Sequence, residues 1–237
     1  MRKPKIKTKP EVIYISERIV KLLKPKNENQ AQLINSICTN NITIANGCAG
    51  TGKTYISGSK AIDFLQAGVV KTIILTRPYV PAGEKLGFIP GTIEEKFAPY
   101  LEPYLDCFID RIGKQQVSAM LTDGRIQAKP ISFIQGKTFN DAIILVDEAE
   151  NATKDQLKLI LTRMGENCKC IIMGDQAQTY IPNSGFNETI KILQSVPRFK
   201  TINFTVADVV RSDTCRYVLE AYEKYDENSR FYAEIRR

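Results

Sequence analysis

The sequence predicts an α/β domain built on a mostly parallel sheet with helices on both faces. Short apolar runs of strand length recur at Ile42–Ala45, Lys71–Thr76, Ala142–Val146, Cys170–Met173 and Thr201–Thr205. Stretches with helical spacing lie between them, and strands alternating with helices need crossover connections, hence parallel pairing. A glycine-rich turn, Gly47 to Thr54, links the first of these runs to a helical stretch.

In chain order, Val12–Ile15 reads as a short strand, and Ser16 is placed to cap a helix running to Leu23, stopped by Pro25. Asn27–Asn29 opens a helix around Ala31, Leu33, Ile34 and Ile37. Ile42–Ala45 is a buried strand, and Lys53–Gln66 a helix ended by Gly68. After the Lys71–Thr76 strand, a loop rich in glycine and proline covers Arg77 to Gly91. Phe97, Tyr100, Leu101, Tyr104 and Leu105 then recur at helical spacing, which favours core packing over a base-stacking platform. Ala142–Val146 is a strand, Thr153 caps a helix to Met164, and Cys170–Met173 is a strand. Phe186–Val196 is helical, Thr201–Thr205 a strand, and Ser212–Tyr225 a last helix.

The 237 residues, 43% hydrophobic and 25% charged, suit one substantial soluble domain. No apolar run approaches the roughly 18 residues of a membrane span. The N-terminus MRKPKIKTKPEV lacks a signal-type apolar core, and the six cysteines form no CxxC pair in a chain without histidine. The expectation is a cytoplasmic protein with free thiols and no structural zinc. The net charge of +7 is concentrated in residues 1–26, where nine Lys/Arg face only Glu11 and Glu17. We therefore divide the chain into a basic extension, 1–26, and a single domain, 27–237. Such an arm suits contact with nucleic-acid phosphates; a solvated tail is the alternative.

Gly47-Cys48-Ala49-Gly50-Thr51-Gly52-Lys53-Thr54 fits G-x-x-x-x-G-K-[ST] in full, with a strand before it and a helix after it. Glycines let backbone N–H groups turn toward a phosphate, and the following helix adds its positive end. Lys53 supplies a point charge, and Thr54 offers a hydroxyl to Mg²⁺. Residues 47–54, with Tyr55, are assigned to nucleotide binding. Ile143-Ile144-Leu145-Val146-Asp147-Glu148 ends a buried strand in two acids. There Asp147 suits Mg²⁺, through its water shell, and Glu148 suits polarising an attacking water. A third strand ends in Gly174-Asp175-Gln176-Ala177-Gln178, whose Gln178 amide could bond both γ-phosphate and water; an ordinary turn is the alternative.

The phosphate loop, the Asp-Glu strand and the Gly-Asp-x-x-Gln strand, in this order, resemble the first motor domain of superfamily-one helicases. More closely, the chain resembles the PhoH family of phosphate-starvation-associated ATPases, through TRPYVPAGEKLGFIPG at 76–91, PYLEPYLD at 99–106, LTRMG at 161–165 and DVVR at 208–211. The resemblance covers roughly residues 25–225. It implies a RecA-like P-loop NTPase fold, ATP binding and hydrolysis, a role with RNA or other nucleic acid, and assembly into an oligomer such as a ring. Glu150 stands where the family commonly has Gln, and Lys137, in Gln135-Gly136-Lys137-Thr138, where it commonly has Arg. Some relatives carry an RNA-cleaving domain; none is inferred here.

Gln30 sits where helicases place an adenine-reading glutamine, and a polar residue at a helix start is the competing account. A single motor domain leaves one side of the γ-phosphate open, which a neighbouring subunit could close. Arg211, at the junction after the Thr201–Thr205 strand, is then a candidate to reach a neighbour's ATP, with Arg77 and Arg163 as rivals and an ion pair to Asp208 or Asp213 as the alternative. The sequence supports an ATPase acting on or stimulated by nucleic acid, RNA favoured. A nucleotide-gated binding protein with little turnover is the second reading. A small-molecule kinase fits less well, since Asp147-Glu148 with Gln178 suits attack by water.

Overall fold

A computed structural model describes residues 12–15, 18–78 and 101–235. Its centre is a parallel sheet. The strands are β3 (Ile42–Gly47), β4 (Thr72–Thr76), β5 (Ile126–Ala128), β6 (Ala142–Val146), β7 (Lys169–Gly174) and β8 (Phe199–Phe204). Their order is β5-β4-β6-β7-β3-β8, and every pairing is parallel. β1 (Val12–Ile15) and β2 (Arg18–Lys21) form a separate antiparallel pair.

Strand side chains alternate between two cores because the pleat has a period of two. Ile73, Leu75, Ile143, Leu145, Ile171 and Met173 face one side. There they pack beneath α1 (Glu28–Thr39), α2 (Lys53–Gln66), α3 (Glu102–Ile112) and α4 (Lys114–Thr122). Ile74, Ile144, Val146, Cys170 and Ile172 face the other side, under α5 (Lys154–Leu161) and α6 (Phe186–Leu193). The fold is thus the α/β sheet covered on both faces that the alternation predicts. A last helix, α7, spans Asp213–Ile235.

Local signals set the element ends. Asn27 caps α1 by accepting from the Gln30 N–H at 2.8 Å. Thr153 caps α5 in a reciprocal capping box with Gln156.

Several expectations need correction. The helix expected from Ser16 to Leu23 is contradicted by β2, whose adjacent β-branched Ile19 and Val20 favour a strand. Leu23, placed in the extension, packs against the core beneath α1. β5 and α4 were not expected: three residues are too few for a period to show, and the nine residues of α4 carry a single helical stripe, Val117, Met120 and Leu121, that the sequence reading passed over. α5 stops at Leu161 rather than Met164, and α6 at Leu193 rather than Val196. α7 runs ten residues beyond the expected Tyr225. The basic residues 1–10, most of the 76–91 signature, and Phe97 and Tyr100 lie outside the described residues. Among the described residues no helix is long and apolar enough to cross a membrane.

Candidate nucleotide site

Register brings the three motifs to one sheet edge. Thr76 lies opposite Val146, so Arg77 and Asp147 leave neighbouring strands side by side. Asn46 lies opposite Gly174, which sets the Gly47 turn beside Asp175. In open α/β sheets this carboxyl edge is where ligands bind. A cleft of about 1380 Å³ opens there, and its lining includes Lys53, Thr54, Asp147, Glu148, Asp175 and Gln178.

The loop's shape depends on its glycines. Gly47 has φ 134° and Gly52 φ 86°, both in the left-handed region. A Cβ on Gly47 would lie 2.0 Å from the Phe204 carbonyl oxygen of β8, and one on Gly52 would lie 2.8 Å from Gln30 Nε2. Thr51 is fully buried and its hydroxyl donates to the Cys48 carbonyl at 3.0 Å. The Lys53 ammonium donates to the carbonyls of Gly47 at 2.6 Å and Cys48 at 2.8 Å. Burial lowers its pKa, opposed by the carboxylates of Asp175, Asp147 and Glu150. Burial also lifts the Cys48 thiol to about 11, so it is no thiolate at neutral pH.

Asp147 is a half-buried carboxylate with two donors. The Tyr104 hydroxyl donates to Oδ2 at 3.1 Å, and the Glu148 N–H to Oδ1 at 3.1 Å. Burial raises its pKa, while Tyr104, the Glu148 N–H, Arg77 and Lys53 pull it down. Tyr104 is itself buried, which raises its pKa well above the usual phenol value and keeps it a donor. Glu148 has φ 49°, uncommon for a residue with a side chain and frequent at functional sites. Its carboxylate is ion-paired with Arg77. Burial raises its pKa and the Arg77 charge lowers it.

Two further carboxylates complete the wall. Glu150 is 5% exposed; its Oε2 accepts the Asp175 N–H at 3.0 Å. Burial lifts it to about 7, with Glu148 and Asp147 adding to the rise. Asp175 accepts the Ala177 N–H through Oδ1, whereas its buried Oδ2 has no hydrogen-bond partner. Together with the Asp147 carboxylate and the Thr54 hydroxyl, that oxygen gives a hard-oxygen donor set fit for Mg²⁺ and its waters, which takes few direct protein ligands. The fit rests on donor chemistry, since among the described residues no group of three or more His, Cys, Asp or Glu converges on a metal position.

The remaining expected residues fall as follows. Gly50, Ala49 and Gln178 line the cleft. Tyr55 lines it too, and its hydroxyl donates to Asp110 at 3.1 Å. Gln30 borders the cleft but is 3% exposed, and backbone groups engage both ends of its amide. Arg211 is exposed on the rim of its own chain's cleft. Asp208 is held by Thr205 and Asn29, and Asp213 by Arg216, so neither takes the ion-pair role considered for Arg211. Arg163 lies at the opposite edge, where its carbonyl accepts the Phe139 N–H just before β6; it is no candidate for this cleft. Sequence reasoning missed Tyr104 as a partner of Asp147, the Asp175 oxygen, and the Arg77–Glu148 pair.

Comparison with known proteins adds the lineage. The family described as PhoH-like protein matches residues 22–223. A PhoH-like protein of Mycobacterium tuberculosis is 39% identical over 216 residues, covering 90% of this chain and 61% of its own length. A PhoH-like protein of Bacillus subtilis is 38% identical over 207 residues, 86% of this chain and 65% of its own. Protein PhoH of Escherichia coli is 38% identical over 202 residues, 83% of this chain and 57% of its own. The chain thus spans about three-fifths of the length of the curated relatives it matches. Among solved structures, the large terminase of a thermophilic bacteriophage aligns with TM-score 0.52 at 10% identity, over 78% of this chain and 47% of that one. At that identity the likeness is one of fold.

Proposed function

The chain belongs to the PhoH-like protein family, and on that premise we propose that it binds ATP with Mg²⁺ and hydrolyses it. One observation carries the reading: register brings the phosphate loop with Lys53, Asp147 and Glu148 to a single cleft. The loop N–H groups and the start of α2 would hold the phosphates, with Lys53 turning from the Gly47 and Cys48 carbonyls to the β/γ-phosphates. Thr54 and Asp147 would hold Mg²⁺, which supplies charge neutralisation at the developing phosphate oxygens. Tyr104 fixes the Asp147 carboxylate, Glu148 orients and deprotonates the attacking water, and Gln178 reports the γ-phosphate.

Turnover is coupled, in this proposal, to RNA or another nucleic acid, in an oligomer whose neighbouring subunit closes the open side of the cleft. The cytoplasm is the compartment that suits such a partner. A second reading, a nucleotide-gated binding protein with little turnover, draws on the Arg77–Glu148 pair, which occupies the base.

Phosphate release from ATP by the full chain, with Mg²⁺ and with or without single-stranded RNA or DNA, separates the readings. Polymer-stimulated turnover supports the motor, and near-zero turnover with tight ATP binding supports the gate. Lys53→Ala should lose ATP binding, while Glu148→Gln should bind ATP and not turn it over. Wild-type turnover by Glu148→Gln would remove Glu148 as the base.

A further inference from the structure

Three segments meet at the end of the phosphate loop and are tied by hydrogen bonds. The Gln30 Nε2 donates to the Thr51 carbonyl at 2.8 Å, and its Oε1 accepts the Lys26 N–H at 2.8 Å. Asn27 Nδ2 donates to the Asp208 carbonyl at 3.0 Å, and Asn29 Nδ2 to the Asp208 carboxylate at 2.8 Å. The Val210 N–H donates to the Gly50 carbonyl at 2.9 Å, closing the circuit. Gln30 sits at the centre of this clasp, 3% exposed, its amide nitrogen against the face of Gly52 that carries no Cβ.

That placement bears on which nucleotide the cleft accepts. Adenine and guanine differ at the edge carrying N1 and C6, where donor and acceptor are exchanged. A single side chain that matches adenine's own donor–acceptor pair at that edge needs an acceptor and a donor free to face the base. The cleft beyond Gly52 is lined by Leu22, Leu23, Lys24, Lys26, Val210 and Arg211, along with Gln30. Among these described residues, Gln30 is the one side chain carrying both a donor and an acceptor; the Tyr55 hydroxyl, which also lines the cleft, is engaged by Asp110. Its amide is committed to Thr51 and Lys26, and little of its surface reaches the cleft. Leu22, Leu23 and Val210 offer apolar contact, which any base face accepts.

We propose that Gln30 is a positioning residue for the phosphate loop and not a reader of the base, so the site takes adenine and guanine nucleoside triphosphates with little discrimination. The inference rests on the nucleotide-site reading above and narrows its substrate class. Gln30 acts through the Thr51 carbonyl, holding the turn whose N–H groups face phosphate. Its contribution is therefore shared by every ligand carrying a phosphate chain, with or without a base.

Calorimetric titration of the full chain with ATP, GTP and inorganic tripolyphosphate, each with Mg²⁺, tests it. In the wild type the ATP and GTP dissociation constants should agree within about fivefold; a larger preference for ATP overturns the proposal. This comparison needs no variant and stands whatever the folding of the mutant chain. In Gln30→Ala, affinity for all three ligands should fall by a common factor of about three to ten, the effect of one lost buried hydrogen bond. Loss of ATP affinity with tripolyphosphate binding unchanged overturns it. Steady-state rates add a readout that simple destabilisation would not give: KM for ATP and GTP should rise alike with kcat within about twofold, whereas a smaller folded fraction lowers apparent kcat and leaves KM. If none of the three ligands binds the wild type, the nucleotide-site reading falls and this inference with it.

Discussion

Arg77 and Glu148, 71 residues apart in sequence, form an ion pair between the ends of adjacent strands β4 and β6. The pair couples the proposed base to a guanidinium at the phosphate edge. Burial raises the Glu148 pKa and Arg77 opposes that rise, so removing the cation should raise it further. A base must be ionised to act. Arg77→Gln should therefore depress kcat/KM more at pH 6 than at pH 8.5 and move the acidic limb of the profile to higher pH. A profile of unchanged shape, merely scaled down, would show that Arg77 does not tune Glu148.

Tyr104 reaches Asp147 from α3, across 43 residues of sequence, through a hydrogen bond of 3.1 Å. Its ring packs in the core beside Phe108 with centroids 6.2 Å apart, so Tyr104→Phe keeps the packing and deletes one donor. Partners of metal-holding carboxylates typically change metal affinity by roughly 10–100-fold when removed. The Mg²⁺ concentration giving half-maximal ATP turnover should rise by about tenfold, with thermal stability nearly unchanged. An unaltered Mg²⁺ curve would reduce Tyr104 to a packing residue.

The parts of the site read from sequence are those written in contiguous residues. Gly47 to Thr54 and Asp147-Glu148 each follow an apolar strand, and parallel pairing then carries both to one edge. Partners joined only by folding left no local trace. Tyr104 showed helical apolar spacing, which is true of its ring and silent about its hydroxyl. Gln30 was read either as an adenine reader or as a helix-start residue, while its bond to Thr51, which spans 21 positions and depends on Gly52 presenting no side chain, left no trace in the sequence. The segment 16–23 misled because Ile19, Leu22 and Leu23 also fit a helical stripe, whereas Arg18–Lys21 pairs with Val12–Ile15.

Glu150 gives the chain a pH-dependent stability. Its carboxyl is lifted to about 7 by burial, against an ordinary value of 4.5. Because the folded-state pKa is the higher one, protonation favours the fold. That stabilisation is fully present below about 4.5 and is lost as the pH rises toward 7. The difference corresponds to roughly 3 kcal/mol at full development. Glu150→Gln removes the titration while leaving an amide oxygen to accept the Asp175 N–H. Urea unfolding should show Glu150→Gln gaining on the wild type between pH 5 and pH 8. A constant difference across that range would mean that Glu150 titrates normally.

Arg211 lies on the rim of the cleft that holds Lys53 of the same chain. The preceding Val210 N–H is bonded to the Gly50 carbonyl at 2.9 Å, and a Cβ on Gly50 would lie 3.4 Å from Arg211 Cβ. The segment after β8 is thus fastened to its own phosphate loop. On that placement we propose that Arg211 serves its own chain's cleft, the alternative being the trans role expected at this strand–helix junction. Arg211→Ala should lower kcat/KM by at least about tenfold, since a guanidinium facing the transferred phosphoryl group stabilises its developing charge. The test is complementation between Arg211→Ala and Lys53→Ala chains, each measured alone for its residual activity. If both residues serve one cleft, no mixed assembly contains an intact site, and the mixture should show no more activity than its two parents together. If Arg211 reaches across a subunit boundary, interfaces joining an intact loop to an intact arginine would form and activity would return. Recovery in mixed oligomers would therefore overturn the in-chain assignment, and full activity of Arg211→Ala alone would remove the residue from the site.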